Sequence, residues 1–260
     1  MDRHVAVTGA SSGLGEAIAR AFGAAGDRLT LVARRVGLLE AVAAAFPGRA
    51  RASAWDLAAD DPAGWVPAAE AAFGPVDVLV NAAGCQVIAL FADVTPGAAD
   101  GMTALNFRAP VRLVRAVLPS MRARGSGAIV NVSSIGAVAP PPYMCDYVAT
   151  KAALAAFSES LAAELRGTGV QVLTVYPGPM DTPMGAAGLR TYGHVPAATM
   201  MPMGEPAGLA RAVVSAVDGR RARLTYPRGY ALMRWLPGPA GALVGRFAPR
   251  PVTAPSPETR

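Results

Sequence analysis

Short apolar runs alternate along this chain with Ala-rich stretches whose apolar positions recur at helical spacing. The runs cover residues 3–8, 29–33, 51–56, 76–81, 128–134, 170–176 and 223–226. Several of them, such as 76–81, are continuously apolar, the pattern of a strand covered on both faces. The helical stretches cover residues 15–25, 38–46, 62–73, 96–124, 146–166 and 205–218. Strands alternating with helices in this way predict a doubly wound α/β fold: one parallel sheet, helices on both faces, three layers, a single domain over residues 1–226. Two regions break the alternation. Residues 177–204 are rich in Gly, Pro and Met and too long for an ordinary connection, so they read as a lid. From residue 227 onward proline recurs at 227, 237, 239, 249, 251, 255 and 257, which reads as an extension over 227–260 with a disordered end.

Composition narrows the class. Hydrophobic residues make up 52% of the 260 and charged residues 16%, yet polar residues, glycine and proline interrupt every long uncharged stretch, so no membrane span is expected. The first residues, Met1-Asp2-Arg3-His4, lack the apolar core of a secretory signal. Cys85 and Cys145 are too few for a disulfide framework and read as reduced, buried thiols, neither metal ligands nor nucleophiles. These features together point to a cytoplasmic protein. The net charge of +6 raises the question of nucleic acid, but the arginines are scattered with no accompanying aromatic stripe, so no nucleic-acid partner is expected. An anionic cofactor is a simpler use for part of that charge.

The candidate chemistry begins with one residue. Of 24 basic side chains, Lys151 alone is lysine, and it stands four positions after Tyr147. On a helix the two share a face, and an ammonium beside a phenol favours the phenolate, turning tyrosine into a usable general acid and base. A second feature lies in the first strand-to-helix turn, Thr8-Gly9-Ala10-Ser11-Ser12-Gly13-Leu14-Gly15. Its glycines permit a tight turn and close approach to a pyrophosphate, and the following helix start offers free N–H groups and a positive dipole end.

These motifs, with others in order, resemble the short-chain dehydrogenase/reductase family over about residues 3–226. The Thr-Gly-x-x-x-Gly-x-Gly turn is at Thr8 to Gly15. Asn81-Ala82-Ala83-Gly84 matches the family's Asn-Asn-Ala-Gly with one change. Asn106 matches the active-site Asn of the long fourth helix. Ser134, thirteen residues before Tyr147, matches the catalytic Ser in preference to Ser133. Tyr147 and Lys151 match the Tyr-x-x-x-Lys pair, and Pro177-Gly178 with Thr182 matches the segment after the sixth strand. The resemblance implies a Rossmann-type sheet and hydride transfer between a nicotinamide and a carbonyl or alcohol carbon. It implies that Tyr147 exchanges the proton, Ser134 holds the substrate oxygen, Lys151 binds the nicotinamide ribose and lowers the Tyr147 pKa, and Asn106 anchors a water. It further implies cofactor contacts at Gly9, Ser11, Ser12, Gly13, Leu14, Gly15, Asp56, Leu57, Asn81, Ala82, Gly84, Tyr147, Lys151, Pro177, Gly178, Met180 and Thr182. Subunit pairing as a homodimer or homotetramer is implied through residues 96–124 and 146–166.

The cofactor is expected to be NADP. Where an acidic residue would bond a ribose 2′-hydroxyl, the chain has Ala33, followed by Arg34 and Arg35, which can grip a 2′-phosphate. Met180, Met184, Met200, Met201 and Met203 in the lid favour an apolar small-molecule substrate. His194 reads as a solvated loop residue and His4 as structural. The apolar residues of 230–247 (Leu232, Met233, Trp235, Leu236, Leu243, Val244, Phe247) read as packing on their own domain or on a partner subunit rather than on a membrane surface, with Pro237 and Gly238 interrupting any long helix. Epimerisation on the same site, or NADP binding without turnover, are the alternative functions this fold supports. The intact Ser134, Tyr147 and Lys151 weigh against the last.

Overall fold

The computed structural model describes residues 2–192 and 202–252. Seven strands form one parallel sheet in the order β3-β2-β1-β4-β5-β6-β7. They are β1 (His4–Thr8), β2 (Arg28–Ala33), β3 (Ala50–Ala54), β4 (Val78–Asn81), β5 (Gly127–Val132), β6 (Val170–Pro177) and β7 (Arg223–Tyr226). The chain winds outward from β1 to β3, then returns to the other side of β1 for β4 and continues to β7. The reversal between β1 and β4 leaves a crevice at their carboxyl ends, where ligands of open α/β sheets bind. Register is regular across the crevice, with Thr8 beside Asn81 and Asn81 beside Asn131.

Alternating strand residues feed two cores. Val5, Val7, Leu29, Leu31, Val78, Val80 and Val130 meet α1 (Gly13–Ala24), α2 (Val36–Ala43) and α8 (Pro206–Asp218) through Ile18, Phe22, Leu39, Leu209 and Val213. Ala6, Leu79, Ile129 and Val172 face the opposite side and meet α3 (Val66–Phe73), α5 (Ala109–Arg124) and α6 (Cys145–Glu164) through Val66, Leu113, Val117, Met121 and Leu161. Burial of each such side chain contributes about 1.5–3 kcal/mol, so the sheet is pinned from both faces before any polar contact is considered. His4 is structural as expected: it is buried, with Nδ1 2.7 Å from the Gly74 carbonyl and Nε2 2.9 Å from Thr30 Oγ1.

Four elements differ from the sequence reading. The expected helix over 62–73 begins only at Val66, because residues 61–65 are held in turns by the Asp61 carboxylate and by the Trp65 indole donating to the Pro62 carbonyl. The long helix over 96–124 is α4 (Pro96–Thr103) and α5 joined by a π-helical segment, Ala104–Arg108. Inside the lid lies a helix, α7 (Pro183–Thr191), capped by Thr182, whose side chain accepts from Gly185 N. The extension forms a short 3-10 segment, Arg228–Arg234, and a helix, α9 (Pro237–Phe247). Pro237 stands in the first turn of that helix, where no amide donor is required, and no single long helix runs through 230–247, as expected. The expected disordered end, from residue 253 on, lies outside the described residues.

Candidate active site

The crevice is framed by two backbone turns in contact. A Cβ on Gly9 would lie 2.8 Å from the backbone of Ala83, and Gly9 takes φ +70, so this position requires glycine on both counts. Thr8 stitches the turns together: its hydroxyl donates to the Val80 carbonyl at 3.2 Å and accepts from Ala82 N at 3.1 Å and Ala83 N at 3.2 Å. A Cβ on Gly15 would press into the Gly9 carbonyl group, 2.6 Å from its carbon. Because that obstacle is backbone, Gly15→Ala is expected to cost ~1–3 kcal/mol in urea unfolding and to weaken dinucleotide binding; unchanged stability and binding would show the turn to be adaptable.

The cradle beyond Gly9 suits an anion. Ser12 is the N-cap of α1 in extended geometry and makes no side-chain cap bond, which leaves the first-turn N–H groups available. Arg35, entering α2, reaches back to donate to Ser11 Oγ at 2.9 Å and Ser12 Oγ at 2.7 Å. Arg34 is exposed at the end of β2, and its charge is felt across the crevice at Cys85: burial pushes that thiol upward, while Lys151 and Arg34 partly offset the shift. After β3, the exposed Asp56 accepts from Ala58 N at 3.0 Å and Leu57 is buried. Residues 9–15, 34–35, 56–57 and 82–84 therefore follow neighbouring strands at one edge of the sheet, as the sequence reading expects.

The acid–base group lies at the ends of β4 and β5. β5 closes at Val132, and Ser134 follows in extended backbone geometry, its side-chain oxygen accepting from Gly136 N at 3.1 Å. That leaves its proton free to donate, and the Ser134 side chain acts on Tyr147 in the direction that favours the phenolate. The neighbouring Ser133 is buried and committed elsewhere, donating to the Lys151 carbonyl at 2.7 Å, so the two serines have separate tasks. Lys151 Nζ sits 6.0 Å from the Tyr147 ring centroid and donates to the Val132 carbonyl at 2.9 Å. Burial lowers its pKa to about 8.

Tyr147 keeps some exposed surface, but protein atoms surround it closely enough that burial dominates and pushes its pKa upward. The Ser134 side chain opposes this shift.

Asn106 lies in the π-helical segment and is buried. Its amide clamps the backbone after β4: the oxygen accepts from Cys85 N at 2.9 Å, and the nitrogen donates to the Cys85 carbonyl at 2.9 Å and to Thr150 Oγ1 at 3.1 Å. Thr150 in turn donates to the Tyr147 carbonyl at 2.7 Å. A Cβ on Gly84 would stand 3.2 Å from Asn106 Oδ1 and 3.3 Å from Lys151 Nζ, which places the two side chains against one wall. A widened helical turn is what directs Asn106 inward here.

Other expected residues take different places. The Asn81 side chain turns into the sheet, donating to Asn131 Oδ1 at 2.8 Å, and Asn131 donates to Ser158 Oγ at 2.8 Å. Cys145, the first residue of α6, is exposed, contrary to the buried thiol expected. Pro177 ends β6 and Gly178 follows it. Met180 pairs with Gly204 in an isolated parallel bridge, with Gly204 N donating to the Pro179 carbonyl at 2.8 Å and Asp181 N to the Gly204 carbonyl at 3.0 Å. Thr182 approaches the Gly-rich turn, 3.5 Å from where a Gly13 Cβ would be, so the foot of the lid meets the cradle. Gln86 donates to the Met184 carbonyl at 3.1 Å. His194, Met200 and Met201 lie outside the described residues. Asn131 and Thr150 carry no expectation from the sequence, and Thr8 and Ser133 enter there only beside a motif; the tertiary contacts reveal their parts.

A family model for short chain dehydrogenases matches residues 3–192. The chain belongs to the short-chain dehydrogenase/reductase family. A short chain dehydrogenase of Pseudocercospora fijiensis is 42% identical over 69% of this chain and 60% of its own length, so the chain spans somewhat under two thirds of that relative. Among solved structures, an actinorhodin polyketide ketoreductase with NADPH superposes at TM-score 0.81 with 28% identity, covering 88% of this chain and 97% of the other. A 3-ketoacyl-(acyl-carrier-protein) reductase of Brucella melitensis complexed with NADH gives TM-score 0.77 with 28% identity over 86% and 96%. The family is one of oxidoreductases with a Rossmann-like sheet, and these two solved neighbours hold NADPH and NADH. Among the described residues, no helix is long and apolar enough to cross a membrane.

Proposed function

We propose that the chain is an NADP(H)-dependent oxidoreductase that interconverts a carbonyl group and a secondary alcohol on an apolar small molecule. The observation that carries this reading is Lys151, buried one turn along α6 from Tyr147 and bonded to the end of the strand that Ser134 follows, beside a Gly-rich cradle open to an anion. Hydride chemistry is what a nicotinamide dinucleotide supplies when bound. The cradle fits its pyrophosphate: Gly9 admits close approach and the open N–H groups of α1 supply donors. Lys151 has donors left for a ribose after its bond to Val132. In reduction, Tyr147 gives its proton to the forming alkoxide, and Ser134 holds that oxygen within reach; in oxidation the proton returns to Tyr147. Asn106 keeps Cys85 and Thr150, and through Thr150 the backbone of Tyr147, in place. Buried Met180 at the lid foot and the half-exposed Met184 on α7 support an apolar substrate. The same reading has the chain acting as a homo-oligomer paired through α4–α5 and α6.

The preference for NADP rests on Arg34 and Arg35. NADPH is expected to bind at least about tenfold more tightly than NADH, on the order of 1.4 kcal/mol. Arg34→Ala should weaken NADPH and leave NADH nearly unchanged in a fluorescence titration; equal affinities for the wild type would reverse the assignment. A panel of apolar ketones, aldehydes and secondary alcohols, followed by nicotinamide absorbance, tests the reaction class; no turnover across such a panel in either direction would count against it.

A further inference from the structure

The helix α9 has no buried residue along its 11 positions. Its own composition cannot hold it: Pro237, Gly238, Pro239, Gly241 and Gly245 are poor helix formers, and an isolated helix below about 12–15 residues is marginal in water. Contacts hold the segment at its ends. Before the helix, Tyr230 packs on Gly178 and Arg234 stacks 4.6 Å over Tyr176 while donating to Glu159 at 3.2 Å. Mid-helix, Gly241 stands beside Pro140, and past the helix Val252 N donates to the Thr191 carbonyl at 2.9 Å. The remaining apolar side chains, Leu232, Trp235, Leu236, Leu243 and Phe247, are exposed and so do not pack on their own domain, one of the two places the sequence suggested beside a partner subunit. Trp235 is 82% exposed and Phe247 62%.

Charge selects what covers this face. Between Asp218 and Glu258 the chain carries seven arginines and no acidic residue, and Arg228, Arg246 and Arg250 are exposed. A second copy seated through a twofold would bring this basic patch against itself. An anionic lipid surface answers both features, taking the apolar side chains below its headgroups and the guanidinium groups at them.

We propose that residues 228–250 form an interfacial anchor that docks this protein on anionic lipid surfaces. The anchor adjoins Pro140, in the loop leading to Tyr147, and Thr191, at the end of α7, so docking turns the mouth of the crevice toward the bilayer. That consequence rests on the active-site reading above; the docking does not.

The test uses the full chain with vesicles of phosphatidylcholine alone or mixed with phosphatidylglycerol, read by co-sedimentation and tryptophan emission. Binding to the mixed vesicles is expected to be at least about tenfold stronger than to phosphatidylcholine at low salt, and to weaken as salt is added. Emission should shift to the blue on binding, and Trp235→Phe should remove the shift. Trp235→Ser combined with Phe247→Ser should lose most binding with an unchanged thermal midpoint, since both side chains are exposed. Absence of binding to the mixed vesicles, or full binding by the double variant, overturns the proposal. So does a double variant whose only change is a smaller solution mass, which would identify a second copy as the occupant. Vesicle binding can be measured without turnover, so it succeeds or fails independently of the catalytic assignment.

Discussion

Tyr147→Phe is expected to fold, to bind NADPH and to turn over at least ~10²-fold more slowly. The ring stays to fill its place against α6 and the crevice wall, so packing changes little. The hydroxyl is lost, and with it the group placed to hand a proton to a substrate oxygen. Ser134 is a poor substitute because a neutral hydroxyl titrates far too high to act as an acid. Turnover should be measured beside the thermal midpoint and the NADPH dissociation constant. Wild-type turnover with both controls unchanged would remove Tyr147 from the mechanism.

Lys151→Arg should lose most activity and bind NADPH more weakly, although the charge is kept. The ammonium sits in a buried site built for a compact head, bonded to the Val132 carbonyl and close to Gly84 and Asn106; a planar guanidinium is broader. Residual activity should show a pH–rate profile moved to the alkaline side, as the phenolate loses a nearby donor network. The free protein carries a second signature. Burial lowers the Lys151 pKa from 10.5 to about 8, so the folded state holds this proton less tightly than the unfolded chain. Below pH 8 both states are protonated and the buried charge costs stability in full. As pH rises from 8 toward 10.5 the folded state sheds the proton first, and the cost is relieved by up to ~3 kcal/mol. Arginine cannot shed its proton, so the thermal midpoint of the wild type should rise relative to Lys151→Arg across this interval. Midpoints that run parallel from pH 7 to 10 would show that the lysine is not buried as a cation.

The sheet and the order of site motifs were legible in the sequence because each has a local cause. Continuous apolar runs mark strands covered twice, and the spacing of Gly9, Gly15, Ser134, Tyr147 and Lys151 places them at strand ends or on one helix face. What was not legible depends on contacts distant in sequence. The α7 helix lies in a stretch whose Gly, Pro and Met content hides its cap at Thr182. Pro237 marks an interruption in the sequence, but only the structure shows that a helix, α9, starts there. The direction of the Tyr147 pKa follows from how closely protein surrounds the phenol, which no spacing reveals. Asn81, matched to a cofactor motif, also donates through its side chain to Asn131, fifty residues later, a contact that no local pattern reveals.

The bridge between Met180 and Gly204 separates the evolution of the lid from that of the domain. Two backbone hydrogen bonds hold its ends together, so whatever lies between them starts and finishes at fixed points. Closing a longer loop between fixed points costs only about 0.6 kcal/mol for each doubling of length. Insertions, deletions or wholesale exchange of the segment therefore leave the sheet and the Ser134–Tyr147–Lys151 group largely undisturbed. New substrate preferences can be acquired by grafting a foreign loop at this point, without redesign of the proton-transfer machinery beneath it.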